Sequence, residues 1–289
     1  VSFTAVTRLP MVAGWDFYGV MPRLTERAVA WIKEQRGHPE PFFLYFPFTS
    51  PHAPIVPSPE FAGKSKAGGY GDFMEQTDAT VGRVLAELAA SGFADNTLVL
   101  FTADNGPEQY AYPRIQNFNH RSAGPLRGVK RDLWEGGHRE PFIVRWPGKV
   151  AKGAVSGALI SQVDIMATLA AISGYPLPPG AADDSHNLLP VWQSGAPSPR
   201  HTIVHNTNAN GYALRHDHWL LVAAKTGAVS KVPAWFDPAN GYAANDQPGE
   251  LYDLAVDLAQ KHNLYAEQPA KVAELQALLA SVRSKGQVR

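Results

Sequence analysis

Residues 97–107 read Thr97-Leu98-Val99-Leu100-Phe101-Thr102-Ala103-Asp104-Asn105-Gly106-Pro107. A short apolar run here leads directly into a carboxylate, a carboxamide and a glycine–proline stop. Such a run predicts a strand buried on both faces, as in a sheet covered by helices. Neighbouring strand residues point to opposite sides, so Asp104 and Asn105 can reach one ligand only where the strand has ended. Gly106 is expected to allow that turn. Two oxygen donors suit calcium or magnesium rather than zinc. The same three residues also read as an ordinary turn.

Outward from this stretch, Pro41-Phe-Phe-Leu-Tyr-Phe-Pro47 is a second apolar run, expected as a strand buried on both faces. Pro141-Phe-Ile-Val-Arg-Trp-Pro147 is a third. Helical spacing marks Arg23 to Arg36, stopping at Gly37, and Phe73 to Ala90, stopping at Gly92. Asp164 to Ser173 is a helix with Asp164 as its expected N-cap and Gly174 as its stop. This order predicts an α/β fold with a mostly parallel sheet and helices on both faces.

Near residue 200 the pattern changes. His201-Thr-Ile-Val-His205, Tyr212-Ala-Leu-Arg215 and Trp219-Leu-Leu-Val222 predict short strands, and Val272 to Val282 an amphipathic helix. We therefore expect a larger domain over 1–198 and a small C-terminal α+β subdomain over 199–289. Residues 249–254 find no place in this scheme.

The chain has 289 residues, with 26 basic and 26 acidic side chains and no cysteine. Zero net charge gives no global field for nucleic acid, so anion binding must be local. The absence of cysteine excludes disulfides, thiolate metal sites and cysteine catalysis. No apolar run reaches the roughly 18 residues of a membrane span.

Functional residues of open α/β sheets gather beyond the carboxyl ends of the strands. Three loops are expected on one rim. The first holds His52 between Pro51 and Pro54, where a stiff loop would preset the imidazole toward an anion or a leaving group. The second holds Asp104 and Asn105. The third holds Lys130, a point charge for a tetrahedral oxyanion. Each also has a plain reading, as a surface histidine, a turn and a solvated lysine. Arg127, Arg131 and Arg139 could bind anions, and Arg139 could equally brace its loop. Trp134 and Tyr70 are expected to pack rather than to carry sugar.

Order and spacing add what single residues lack. Pro41-Phe-Phe-Leu-Tyr45 precedes Pro51-His-Ala-Pro54, then comes Asp104-Asn-Gly106. Leu126-Arg-Gly-Val-Lys130 follows, with Trp134-Glu-Gly-Gly-His-Arg-Glu-Pro141. Tyr70-Gly-Asp72 with Asp78-Ala-Thr-Val-Gly82, Trp146-Pro-Gly148, and Glu250-Leu-Tyr-Asp-Leu254 with Asn263-Leu264 complete the pattern. Together these resemble the sulfatase family of arylsulfatase type, in its C-terminal portion.

The resemblance implies an alkaline-phosphatase-like sandwich with a smaller C-terminal antiparallel sheet, and sulfuric ester hydrolysis as the activity. It implies Asp104 and Asn105 as calcium ligands, with magnesium an alternative ion. His52 would contact sulfate and protonate the departing alcohol, and Lys130 would bind sulfate oxygens. The substrate would be a sulfate ester, of a glycan or an aryl alcohol, and the parent would be periplasmic or secreted.

Family members carry Cys/Ser-x-Pro-Ser-Arg, whose first residue is oxidised to the formylglycine nucleophile. This sequence has no such motif; the nearest string, Ser194-Gly-Ala-Pro-Ser-Pro-Arg200, has the wrong spacing. The expected early aspartate pair is also missing. We therefore expect a sulfatase fragment that is inactive alone, binds calcium weakly and exposes apolar sheet edges open to association. Two other readings share the residues: a phosphonate or phosphodiester hydrolase of the same superfamily, and a non-catalytic or carbohydrate-binding remnant.

Overall fold

The computed structural model describes residues 12–207 and 210–288. It divides between Asp95 and Asn96 into two units, each described here by itself.

In the first unit, helices α1 (Val20–Glu34) and α2 (Gly68–Ala90) pack together. Met21, Ala28, Ile32, Phe73 and Leu88 are the buried apolar side chains of the two helices. The buried Thr25 and Thr80 hydroxyls meet at 3.1 Å, so neither is left without a partner. The Asp72 carboxylate accepts the backbone N–H groups of Ser65, Gly63 and Lys64. Led by Ser65, these bonds hold its carboxyl below the usual range.

The expected strand at 41–47 is not formed among the described residues, and its burial alternates. Phe43 and Tyr45 stand 72% and 77% exposed. Phe42 turns the other way, edge-on to Trp31 and Phe93 at 5.5 and 5.3 Å. An extended segment with a period of two has found one apolar surface rather than two.

The second unit has two sheets. Strand β1 (Val99–Thr102) pairs with β2 (Phe142–Arg145), and the pair is antiparallel. Among the described residues this sheet has no parallel pair. Helices α3 (Ala111–Phe118), α4 (Asp164–Ser173) and α5 (Leu189–Ser194) belong to the same unit. Helix α4 ends at Gly174 as expected, at a φ of 69° that glycine accepts readily. Its N-cap is Val163, not Asp164. The Asp164 carboxylate instead takes the N–H groups of Ser161 and His186 and a two-pronged contact from Arg200, at 2.9 and 2.5 Å.

The second sheet runs in the order β3 (Thr202–Asn206), β4 (Tyr212–His216), β5 (Trp219–Val222), β6 (Glu250–Asp253), every pair antiparallel. The unplaced residues 249–254 thus supply the fourth strand. Helix α6 (Phe236–Asn240) lies in the β5–β6 connection, and α7 (Pro269–Lys285) follows the sheet. Leu214, Leu221 and Leu251 pack on Val272, Leu275 and Leu279 of α7. The alternate residues Ala213, Leu220, Val222 and Tyr252 point the other way, onto Leu133 and Trp134. The sheet is therefore covered on both faces, by a helix and by the lysine loop.

Candidate functional site

Antiparallel pairing decides where the loops of the second unit fall. Residues following β1 and residues preceding β2 must lie at the same end of the pair. The Asp104–Asn105 turn and the 126–140 loop therefore converge. Lys130 N–H donates to the Pro107 carbonyl at 2.8 Å, and Gly106 N–H to the Gly137 carbonyl at 3.0 Å. Gly106 serves close approach rather than a turn: a Cβ there would sit 1.9 Å from the Gly136 oxygen. Gly137 meets the same limit, 2.2 Å from the Asp132 oxygen.

The lysine loop is held from beneath. Asp132 accepts the N–H groups of Val129, Val229 and Ser230. The Ser230 hydroxyl donates to the Lys130 carbonyl at 2.7 Å, and Leu133 N–H to the Gly227 carbonyl at 2.8 Å. Gln260 accepts Glu135 N–H at 2.8 Å. Arg131 sits at a φ of 78°, a conformation side chains resist, and its guanidinium grips Glu108 at 2.6 and 2.9 Å. With its backbone fixed on both sides, Lys130 carries an ammonium that has no ion-pair partner among the described residues.

The neighbouring arginines are braces. Arg127 is buried, its guanidinium carbon 3.8 Å from the Trp134 ring centre and 4.2 Å from that of Tyr242. Its Nη1 donates to the Tyr252 hydroxyl and the Gln260 carbonyl. Arg139 and Arg215 both reach Glu135 Oε2 at 3.0 Å. Burial acts to raise the Glu135 carboxyl, but His138, 3.6 Å away, and the two guanidiniums outweigh it and hold it at about 2. His138 stacks on His205 at 3.5 Å, and burial first, then His138, holds His205 well below the usual imidazole range. Trp134 is a packing residue, as read, and its Nε1–H donates to Glu250 at 2.6 Å.

Asp104 is exposed and has no ion-pair partner among the described residues. The Asn105 amide nitrogen donates to the Gly106 carbonyl at 3.2 Å, which leaves its Oδ1 available. Oxygen donors of this kind fit a hard cation. A further observation supports the fit. Burial, and then the Asp104 charge, raise the Glu140 carboxyl to about 7, and Glu140 Oε1 is buried with no hydrogen-bond partner among the described residues. Among the described residues no cluster of three His, Asp or Glu could hold a metal by itself.

His52 lies in the first unit, on the exposed loop expected for it. Its Nδ1–H donates to the Ala53 carbonyl at 2.7 Å, which leaves Nε2 free to face a ligand. Sequence reasoning missed Asp132, Ser230, Gln260 and Glu140. Only Glu140 stood inside a quoted motif, and it was not read as functional.

Residues 17–175 match the family model described as sulfatase. The chain is 36% identical over 277 residues to an N-acetylgalactosamine-6-O-sulfatase of Bacteroides thetaiotaomicron, covering 94% of this chain and 52% of that protein. It is 37% identical over 285 residues to a steryl-sulfatase of Mus musculus, covering 93% and 45%. A solved structure described under metabolism of multiple glycosaminoglycans by Bacteroides thetaiotaomicron superposes with a TM-score of 0.79 at 36% identity, covering 93% of this chain and 55% of that one. The chain spans about half the length of the curated relatives it matches. Its architecture is the alkaline-phosphatase-like α/β fold of its structural relatives, with a small antiparallel sheet and helix. The Lys130 loop, drawn against the Asp104–Asn105 turn within that fold, belongs to a member of the sulfatase family.

Proposed function

We propose that this chain forms the sulfate-holding part of a sulfuric ester hydrolase that acts on sulfated glycans. The observation that carries the reading is the convergence of two loops, in which the backbone N–H of Lys130, a lysine with no ion-pair partner among the described residues, is tied to Pro107 just after the oxygen-donor turn. The similarity to an N-acetylgalactosamine-6-O-sulfatase supports a glycan as the alcohol.

Lys130 would bind sulfate oxygens and offset the charge that grows as the sulfur–oxygen bond breaks. His52, with Nδ1–H committed to Ala53, would release a proton from Nε2 to the departing alcohol. Asp104 and Asn105 Oδ1 would hold calcium, the ion typical of the family, whose charge when bound polarises sulfate oxygens. Residues 1–198 would form the C-terminal part of the catalytic domain and 199–289 the subdomain that supports it.

Sulfatases generally use a formylglycine nucleophile, and these 289 residues contain neither cysteine nor Ser-x-Pro-Ser-Arg. We therefore expect sulfate binding without turnover. Calorimetric titration with N-acetylgalactosamine 6-sulfate and with the unsulfated sugar tests this. The sulfated sugar should bind at least about tenfold tighter, and Lys130→Ala should erase that preference. Equal binding of the two sugars would refute the reading. Sulfate release by the parent chain, lost in Lys130→Ala, would refute the expected inactivity.

A further inference from the structure

Both backbone polar groups of Lys130 are taken by segments outside its own loop. The N–H donates to the Pro107 carbonyl at 2.8 Å, just past the Asp104–Asn105 turn. The carbonyl accepts the Ser230 hydroxyl at 2.7 Å, from a residue 100 positions further along the chain. Ser230 belongs to the long connection between β5 and β6. The lysine backbone is therefore gripped from the turn on one side and from this connection on the other.

The connection is itself fastened to the loop. Asp132 Oδ1 accepts the N–H groups of Val229 and Ser230, both at 2.8 Å, and Oδ2 accepts that of Val129 at 2.9 Å. Leu133 N–H donates to the Gly227 carbonyl at 2.8 Å. Gly227 comes this near only because it lacks a side chain, since a Cβ would stand 2.5 Å from Trp134 Nε1. These bonds seat residues 227–230 against the loop, and the Ser230 hydroxyl alone among them reaches Lys130 itself. Arg131 follows at a φ of 78°, a region that side chains resist. A strained residue persists only where its surroundings hold it, and Ser230 holds the carbonyl of the peptide that leads into it.

The geometry points to Ser230 as a positioning residue for the sulfate-binding lysine. This rests on the proposed reading of Lys130 and adds that the β5–β6 connection, not the loop alone, sets where the ammonium stands. A lysine ammonium hangs on a flexible four-carbon stem, so the protein governs its place chiefly through the backbone. Loss of the Ser230 hydroxyl leaves the charge of Lys130 intact and frees its peptide to tilt. A sulfate group would then meet the ammonium at a poorer distance and angle. An unsulfated sugar, which offers the ammonium no anion, would bind as before. The competing account makes Ser230 a packing residue, and it expects both sugars to suffer alike.

The test uses the 289-residue chain and calorimetric titration with N-acetylgalactosamine 6-sulfate and with the unsulfated sugar. In Ser230→Ala the preference for the sulfated sugar should shrink roughly three- to tenfold, the worth of one hydrogen bond, with affinity for the unsulfated sugar unchanged. Ser230→Thr, which keeps the hydroxyl, should restore the preference of the parent. Ser230→Cys, a weaker donor of similar size, should fall between and carries the test if the alanine variant does not fold. Thr226→Ala is the control and should keep the full preference, because that hydroxyl serves Ala228 N–H within the same connection. Hydrogen exchange adds a readout that needs no ligand: the Lys130 amide should exchange about tenfold faster in Ser230→Ala, and the amides of 213–222 at the rate of the parent. A preference in Ser230→Ala within about twofold of the parent overturns the role of Ser230 and leaves the reading of Lys130 standing. Equal weakening toward both sugars assigns Ser230 to packing and overturns it as well. A parent that binds the two sugars equally overturns the reading of Lys130, and this role with it.

Discussion

Glu135 shows how far a buried charge can be shifted by its surroundings. Its carboxyl is held at about 2 against an ordinary 4.5. A depressed acid contributes stability that is fully present above pH 4.5 and lost as pH falls toward 2. The shift corresponds to about 3 kcal/mol. Melting temperatures recorded from pH 7 to 2.5 should show the parent losing that increment. Glu135→Gln should be less stable at pH 7 and flatter below pH 4.5. A parallel pair of curves would contradict the assignment. At this scale the sequence was legible where a residue type is tied to one chemistry: it marked Lys130 and Asp104 as charged loop residues, and neither has an ion-pair partner among the described residues. It was not legible for Arg127, Arg131 and Arg139, because a guanidinium serves an anion or a brace equally well. Only the partners decide between them: Glu108 and Gln260 come from other segments, and Glu135 from the same loop.

At the scale of elements, glycines separate packing from propensity. Gly106 lies where a Cβ would strike the Gly136 oxygen, whereas Gly82, within α2, has open space around its Cβ position. Gly106→Ala should destabilise by at least about 2 kcal/mol, since backbone must move to admit it. Gly82→Ala should stabilise by roughly 0.5–1 kcal/mol, from helix propensity alone. Denaturant melts of the two variants check both signs. Periodicity located α1, α2, α4, α7 and strands β1 to β5 with small shifts at their ends, because apolar spacing is a local property. It erred at 41–47, where a continuous apolar run implied two covered faces and the chain found one. It left α3, α5 and α6 unread, each containing a proline, Pro113, Pro190 and Pro238. The antiparallel β1–β2 pairing was also beyond it: element order constrains which strands neighbour, not the direction in which a chain returns after a long loop.

Across the whole molecule, stability is expected to be uneven. The β4–β5–β6 strands are covered on both faces, with Leu214, Leu220, Leu221, Val222 and Leu251 fully buried. Residues 41–48 form no strand ladder among the described residues. Hydrogen exchange should therefore protect the amides of 213–222 and 250–253 by orders of magnitude more than those of 42–48. Equal protection would show that the extended segment is locked by contacts of its own. The buried Arg200–Asp164 pair ties the start of β3 to α4, and removing one partner strands a charge. Arg200→Met should cost about 3–5 kcal/mol, measured by chemical denaturation.

The face of the C-terminal sheet that carries Ala213, Leu220, Val222 and Tyr252 is also the floor on which Leu133 and Trp134 rest. An inherited or engineered change at one of those floor positions would reach the ammonium through the loop above it. Such a lesion would be scored in an assay as weakened ligand recognition, although the altered side chain never meets the ligand. Surveys of variants in this region should therefore measure thermal stability alongside affinity before assigning any position to recognition.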